Sequence, residues 1–336
     1  MAILVTGATG FVGVAVSSHL AEAGAFVIML ADREPPPGMT AGIPPGRHRL
    51  VIGDVRDAAD ITRACGADAI EAVVHLAAIT AGPQREASDP QSIAAVNVGG
   101  TIALIEAMAG RNPRRIVHVS SASVYGDADP GAAGMFTAGQ TFPKPATLYG
   151  ITKLAGEQAA LRLGDVLGLD VRAVRLSAVY GPWERETGVR DTMSPQWQML
   201  AHASAGRPAI LPRPIRMDWL YVRDAAAGIA ALLGATAMQQ RVIDLGGGAA
   251  FDILQWSEAM GRHRAPMECR VAARGETPNV GYFLARDRAP LDTAAIARET
   301  GFRPRYDLHA AAADYSDWLA QPAASSAFPV PGADSA

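Results

Sequence analysis

The chain has 336 residues, 30 Lys+Arg against 33 Asp+Glu, a formal net charge of −3, and 49% hydrophobic and 19% charged residues. That is an ordinary globular composition with ample apolar material for a core, and nothing in its charge draws it to nucleic acid or an anionic membrane. Two cysteines, Cys65 and Cys269, stand far apart in no metal-type spacing, so neither a disulfide framework nor a metal site is expected, and a reducing cytoplasm is the expected location.

Residues 2–5 form an all-apolar run, the pattern of a strand buried on both faces of a parallel sheet, so the N-terminus reads as a first strand and not as a leader. Gly7, Gly10 and Gly13 follow at the spacing G-x-x-G-x-x-G, with Phe11 and Val12 inside it, and residues 12–20 read as an apolar helix. Strand, glycine turn and helix together make a phosphate cradle: a Cβ would block a pyrophosphate, and a helix N-terminus aims N–H groups at an anion. A second strand over 25–31 ends at Asp32, near the roughly 20-residue interval at which a carboxylate accepts from an adenosine ribose. Asp32 repels a 2′-phosphate and Arg33 tolerates one, so NAD is the expected cofactor, with NADP possible.

Residues 35–46 are too rich in Pro and Gly for helix. A third strand over 49–55 carries Asp54 and Val55; Asp54 reads equally as an adenine contact or as the cap of a helix starting at Ala58. A fourth strand spans 70–76, and its His75, set among apolar neighbours, reads as a satisfied core histidine. Residues 80–90 read as a polar loop, 92–109 as a helix containing Asn97, and 115–121 as a fifth strand whose polar end lies where such sheets bind ligands. A helix over 149–163 and a strand over 171–176 complete the alternation of a doubly wound, Rossmann-type α/β parallel sheet.

From Pro182 the texture changes to loops with Pro, Trp and Arg and to short strands at 208–211, 220–222 and 242–245. The expected division is a dinucleotide-binding domain over 1–178, with 217–245 returning to it. A smaller substrate-binding region takes 179–216 and 246–320, and 321–336 is read as a disordered tail. The longest apolar-rich run, 225–238, is too short to cross a bilayer.

Tyr149 and Lys153 lie four residues apart, on one helical face. An ammonium near a phenol lowers the phenol's pKa toward working pH and lets it take a proton from a substrate hydroxyl. Ser121, ending the fifth strand, reaches the same oxygen.

With these residues the chain resembles the extended short-chain dehydrogenase/reductase family, also called the NAD-dependent epimerase/dehydratase family. The resemblance covers about residues 1–315 and rests on TGATGFVG at 6–13, GDVRD at 53–57, HLAA at 75–78, NVGGT at 97–101, VSSASVYG at 119–126, YGITK at 149–153 and VYGP at 179–182. Residues 291–302 resemble the family's late Asp–helix–Gly-Phe segment. The resemblance implies Ser121 and Tyr149 on the reacting oxygen and Lys153 on the nicotinamide ribose. It further implies Asp32, Asp54 and Val55 around the adenosine, Leu76, Ala77 and Ala78 beside the cofactor with Asn97 and Val179 near it, and a homodimer through helices 92–109 and 149–163.

Departures from the family narrow the reaction. Ser121-Ala122-Ser123 stands where 4,6-dehydratases carry Thr-Asp-Glu, so the carboxylate pair needed to eliminate water is missing. Ala178 and Met217 replace the Asn and Arg that hold a sugar diphosphate in the epimerases, with Arg216 one residue early as a substitute. Thr80, Ser123, Ala178, Arg216 and Arg274 are the expected substrate contacts, with Arg213 and the loop 183–190 as further anion candidates. Taken singly each arginine reads as a solvated surface residue; taken together, one anion contact is expected among them. Three readings stand. The first is a dehydrogenase oxidising a secondary alcohol of a sugar, polyol or sugar acid. The second is a nucleotide-sugar 4-epimerase that keeps its NAD, and the third a non-catalytic NAD-binding sensor.

Overall fold

The computed structural model describes residues 2–282, 284, 286–322 and 324. In chain order its strands are β1 (Ala2–Thr6), β2 (Phe26–Ala31), β3 (His48–Ile52), β4 (Ile70–His75), β5 (Arg115–Ser121), β6 (Val171–Leu176), β7 (Val179–Tyr180), β8 (Ala209–Leu211), β9 (Leu220–Tyr221), β10 (Val242–Leu245) and β11 (Cys269–Val271). The helices are α1 (Phe11–Glu22), α2 (Ala58–Cys65), α3 (Pro83–Ser88), α4 (Pro90–Ala94), α5 (Gly100–Met108), α6 (Leu148–Leu167), α7 (Pro195–Ser204), α8 (Val222–Gly234), α9 (Ile253–Gly261), α10 (Ala294–Thr300) and α11 (Leu308–Leu319).

Seven of these strands form a parallel sheet in the order β10-β6-β5-β4-β1-β2-β3. Its strands are apolar on both faces because both are covered. Val5, Val27 and Met29 point into the layer shared with α1 and α8, while Leu4, Ile28 and Leu30 point into the layer shared with α2, α5 and α6. The chain winds outward in one direction through β2 and β3 and in the other through β4, β5 and β6. The order therefore reverses between β1 and β4, and a ligand crevice opens at their carboxyl ends. Segment 217–245 supplies α8 and the edge strand β10, which pairs with β6. A third cluster, rich in Tyr180, Trp219, Tyr221, Phe251, Trp256, Tyr315 and Trp318, builds the smaller region beside that crevice.

Two features differ from the sequence reading. Residues 83–88 are helical, not loop, with Pro83 opening α3. The helix expected over 92–109 is interrupted by a π-helical turn at Ala95–Gly99, which turns Asn97 inward; its side chain is 1% exposed. Taken together, Pro90–Met108 is long and apolar enough to cross a membrane by length and composition, with 39% of it buried. In this fold it packs against α6. Ala324, inside the stretch read as a disordered tail, is 3% exposed and belongs to the third cluster; residues 325–336 lie outside the described residues.

Candidate active site

The glycine turn is explained position by position. Gly7 has φ +65°, and a Cβ there would sit 2.7 Å from Ala77 N, so β1 and the chain leaving β4 approach too closely for any side chain. A Cβ on Gly13 would sit 2.3 Å from the Gly7 carbonyl oxygen, so this glycine lets α1 close on its own turn. Gly10 is different: a Cβ would meet only Gly7 O, at 3.2 Å. No side chain caps α1 at Gly10, so the first-turn N–H groups face the crevice without partners. A tight turn with uncapped donors fits a dinucleotide pyrophosphate.

Around this turn the cavity is lined by Phe11, Val12, Asp32, Asp54, Val55, Leu76, Ala77, Ala78 and Val179, and at its other end by Thr80, Ser121, Ser123, Tyr149, Lys153 and Ala178. Two expected cofactor contacts stand elsewhere. Arg33 does not line the cavity; it folds onto Asp32, its Nε donating at 3.1 Å, and reaches the Thr187 carbonyl. Asn97 is spent on bracing. It accepts from Ile79 N at 2.8 Å and donates to Ile79 O at 3.1 Å and Thr152 Oγ1 at 3.0 Å, holding the loop after β4 to α6. Asp54 is not a helix cap. Asp57 caps α2, while Arg56 pairs with Asp54 and holds its carboxyl below the usual range.

Helix α6 delivers the phenol. Thr147 caps it, accepting from Gly150 N at 3.1 Å, and Glu86 of α3 accepts from Leu148 N at 2.8 Å. A Cβ on Gly150 would lie 2.6 Å from Ser123 O, so α6 rests directly on the turn after β5 and brings Tyr149 to Ser121. Burial raises the Tyr149 pKa; the neighbouring Ser121 and Thr80 hydroxyls pull it back down, as do the charges of Arg190 and Arg288. Lys153 lies one helical turn further along α6. Its Nζ is 3% exposed and donates to the Val119 carbonyl at 2.6 Å, and burial pushes the ammonium down to about 8. The sequence reading looks to Lys153 to acidify Tyr149; the structure adds the guanidinium groups of Arg190 and Arg288 as cations acting on the phenol. His75 is a satisfied core residue, bonded to Thr6 Oγ1 at 2.7 Å and Thr101 Oγ1 at 3.0 Å.

A strap over 183–194 crosses the cleft. On one side Thr80 N donates to Val189 O at 2.7 Å, and Arg85 Nε bonds both Asp191 oxygens at 3.0 Å. On the other, Arg185 Nη2 donates to Thr9 O at 3.0 Å and Arg190 lies 5.0 Å above the Phe11 ring. Glu184, fully buried, accepts from Ser194 N and Oγ at 2.7 and 2.6 Å and pairs with Arg190 at 2.9 Å.

The arginines expected to bind a substrate anion from the segments after residue 212 stand outside the cavity. Arg216 is exposed and donates to Gln255 Oε1 at 3.2 Å, Arg274 is exposed, and Arg213 pairs with Asp287. The cavity is lined instead by Arg185 and Arg190 of the expected loop 183–190 and by Arg85 and Arg288, which the sequence reading does not single out. No periodicity marked them, because each sits in irregular chain or in a helix too short to show a face.

The NAD dependent epimerase/dehydratase family matches residues 3–246. The chain belongs to that family. Members work through NAD, and the residues around the glycine turn fit that cofactor. Among its relatives, dTDP-L-rhamnose 4-epimerase of Burkholderia thailandensis is 27% identical, with 95% of each chain covered. UDP-glucose 4-epimerase of Streptomyces lividans is 30% identical over 94% of this chain and 95% of its own. The structure of UDP-glucuronic acid 4-epimerase from Bacillus cereus in complex with NAD superposes with a TM-score of 0.75 at 22% identity, covering 95% of this chain and 98% of that one, a likeness of fold. The epimerase/dehydratase fold accounts for the parallel sheet and its switch-point cleft.

Proposed function

We propose that this enzyme oxidises a secondary alcohol of a small sugar-derived substrate, with Tyr149 accepting the hydroxyl proton and Ser121 and Thr80 orienting the reacting oxygen. NAD, when bound, supplies the hydride acceptor. The observation that carries the reading is the convergence of three hydroxyls, those of Tyr149, Ser121 and Thr80, in the same cavity as the uncapped glycine turn. Ser121 also accepts from Ser123 Oγ at 2.9 Å and from Ser123 N at 3.1 Å, which fixes its oxygen toward the cleft. Lys153, held on the Val119 carbonyl, is placed to bond the nicotinamide ribose. The small substrate follows from Arg216 and Arg274 standing away from the cavity and from Met217, 1% exposed, being core.

Tyr149→Phe is the test: turnover falls by at least about a hundredfold while NAD still raises the melting temperature. Turnover unchanged in that variant refutes the assignment and returns the protein to a non-catalytic NAD sensor.

The strap supports the second reading, a 4-epimerase that keeps its cofactor, because fastening at Thr80 and at Thr9 would retain a dinucleotide beneath it; the named relatives are 4-epimerases. NAD surviving gel filtration, with epimerised nucleotide sugar and no NADH release, favours the epimerase. Steady NADH release with a free sugar favours the dehydrogenase. We further propose a homodimer through α4–α5 and α6, whose outer face leaves Ile151 49% and Val166 59% exposed. The same pairing would account for the apolarity of Pro90–Met108 without a membrane. Sedimentation of wild type as a dimer and of Ile151→Glu as a monomer tests it. The free thiols of Cys65 and Cys269 accord with a cytoplasmic location.

A further inference from the structure

Four arginines besides Arg288 line the cleft, and each is spoken for. Arg56 holds Asp54, Arg85 holds Asp191, and Arg190 holds Glu184. Arg185 is turned to the Thr9 carbonyl and the Met39 sulfur at the glycine turn. Arg288 differs. Among the described residues it makes no ion pair; its Nη2 donates to Ser177 Oγ at 2.9 Å, and its Nε is buried without a partner. The carboxylate on which its charge acts, Asp218, is 1% exposed and already served: Oδ1 accepts from Ser177 Oγ at 2.7 Å and Oδ2 from Leu291 N at 3.0 Å. Asp218 does not line the cavity, whereas Arg288 does, beside Trp219 and Tyr282.

A buried charged donor without an acceptor is costly unless something else completes it. What completes a planar guanidinium fork is a planar two-oxygen acceptor, bonded through parallel N–H groups. We propose that Arg288 is the specificity residue at the substrate end and binds a carboxylate carried by the sugar, so that the enzyme takes sugar acids over neutral sugars. The inference rests on the reading of Tyr149 as the centre that handles a sugar hydroxyl. A single guanidinium with a free Nε matches the one charge of a carboxylate better than a phosphate dianion. Arg190, the other cation acting on Tyr149, is neutralised by Glu184 and does not compete for the role. The carboxylate is read in the same way on a free uronate or aldonate as on a nucleotide-linked uronate, and the two sources are separated by assay.

The NAD-loaded protein is titrated with matched pairs: glucuronate against glucose, galacturonate against galactose, gluconate against sorbitol, and UDP-glucuronate against UDP-glucose. Thermal shift reads binding, and absorbance of NADH or chromatography of the nucleotide sugar reads turnover. Wild type should prefer the acid of at least one pair by about tenfold or more, and Arg288→Gln should raise KM for the acid and not for its neutral partner, whatever the lost charge beside Tyr149 does to kcat on both. Arg288→Lys should recover part of it. Wild type with no preference for any acid overturns the proposal. So does an Arg288→Gln variant that raises KM for acid and neutral partner equally, which is the result a mere counter-charge for Asp218 would give. Acid binding that depends on Arg288 without turnover of any pair keeps the subsite and removes the oxidoreductase reading instead.

Discussion

Replacing Lys153 with Met should stabilise the cofactor-free protein while impairing the enzyme. The ammonium is 3% exposed, and burial lowers its pKa from 10.5 to about 8. Between those values the unfolded chain binds a proton that the folded chain does not, so stability rises with pH across that window and the full cost is felt below it. A drop of that size corresponds to about 3 kcal/mol of unfavourable burial at pH 7. Among the described residues the one bond the ammonium makes is its 2.6 Å contact with Val119 O; losing it orphans a buried carbonyl, which costs about 1–2 kcal/mol. The difference favours Lys153→Met by about 1–2 kcal/mol at neutral pH. Urea unfolding of both proteins at pH 7 and pH 9 checks it, since the advantage should shrink by about 1 kcal/mol as the wild-type lysine sheds its proton. Cysteine titration, common to both, cancels in the comparison. A variant less stable than wild type at pH 7, with no pH dependence in the difference, would show that the ammonium is not carried as a buried charge. NAD binding to the variant should weaken, and a pH–activity midpoint displaced upward from wild type would show that the ammonium also acts on Tyr149.

Gly13→Ala, whose Cβ would lie 2.3 Å from Gly7 O, should destabilise the fold by about 1–3 kcal/mol. Gly10→Ala meets only a 3.2 Å contact and should melt near wild type yet bind NAD about tenfold more weakly; equal melting of the two variants contradicts the assignment of Gly10 to the ligand. His75, buried and neutral, has its pKa lowered to about 3, so stability falls as pH drops from 6.5 toward 3, at up to about 1.4 kcal/mol per unit; a neutral residue at 75 should flatten the acid limb by one proton, measured by urea melts from pH 4 to 7. Arg175→Met leaves Glu157, 0% exposed and paired with it at 2.6 Å, as an uncompensated buried charge and should cost about 3–5 kcal/mol; Arg175→Met with Glu157→Met should recover most of the loss, and its failure to do so places the cost in packing.

The sequence by itself determined the parallel sheet and the Tyr149–Lys153 pair on one helical face. Short apolar strands, a glycine turn at fixed spacing and a Tyr and Lys four apart on one helix are local signals, written within a few residues and legible without knowing what packs where. Burial of both sheet faces follows from the same signals, since Leu4 and Val5 are both apolar and can only face two covered layers. Tertiary structure alone decided which residues share the cleft. Asn97 looked like a cofactor contact until a π turn rotated it into the bracing of Ile79 and Thr152. Residues 83–88 looked like loop because a two-turn helix carries too little periodicity to read, yet they bring Glu86 to the N-terminus of α6 and Arg85 to the strap. The arginine nearest a motif, Arg216, faces away, while Arg288, in chain with no repeating pattern, comes to the substrate end from seventy residues further on. Long-range placement of this kind depends on how a loop crosses a sheet edge, and no spacing within the loop encodes it.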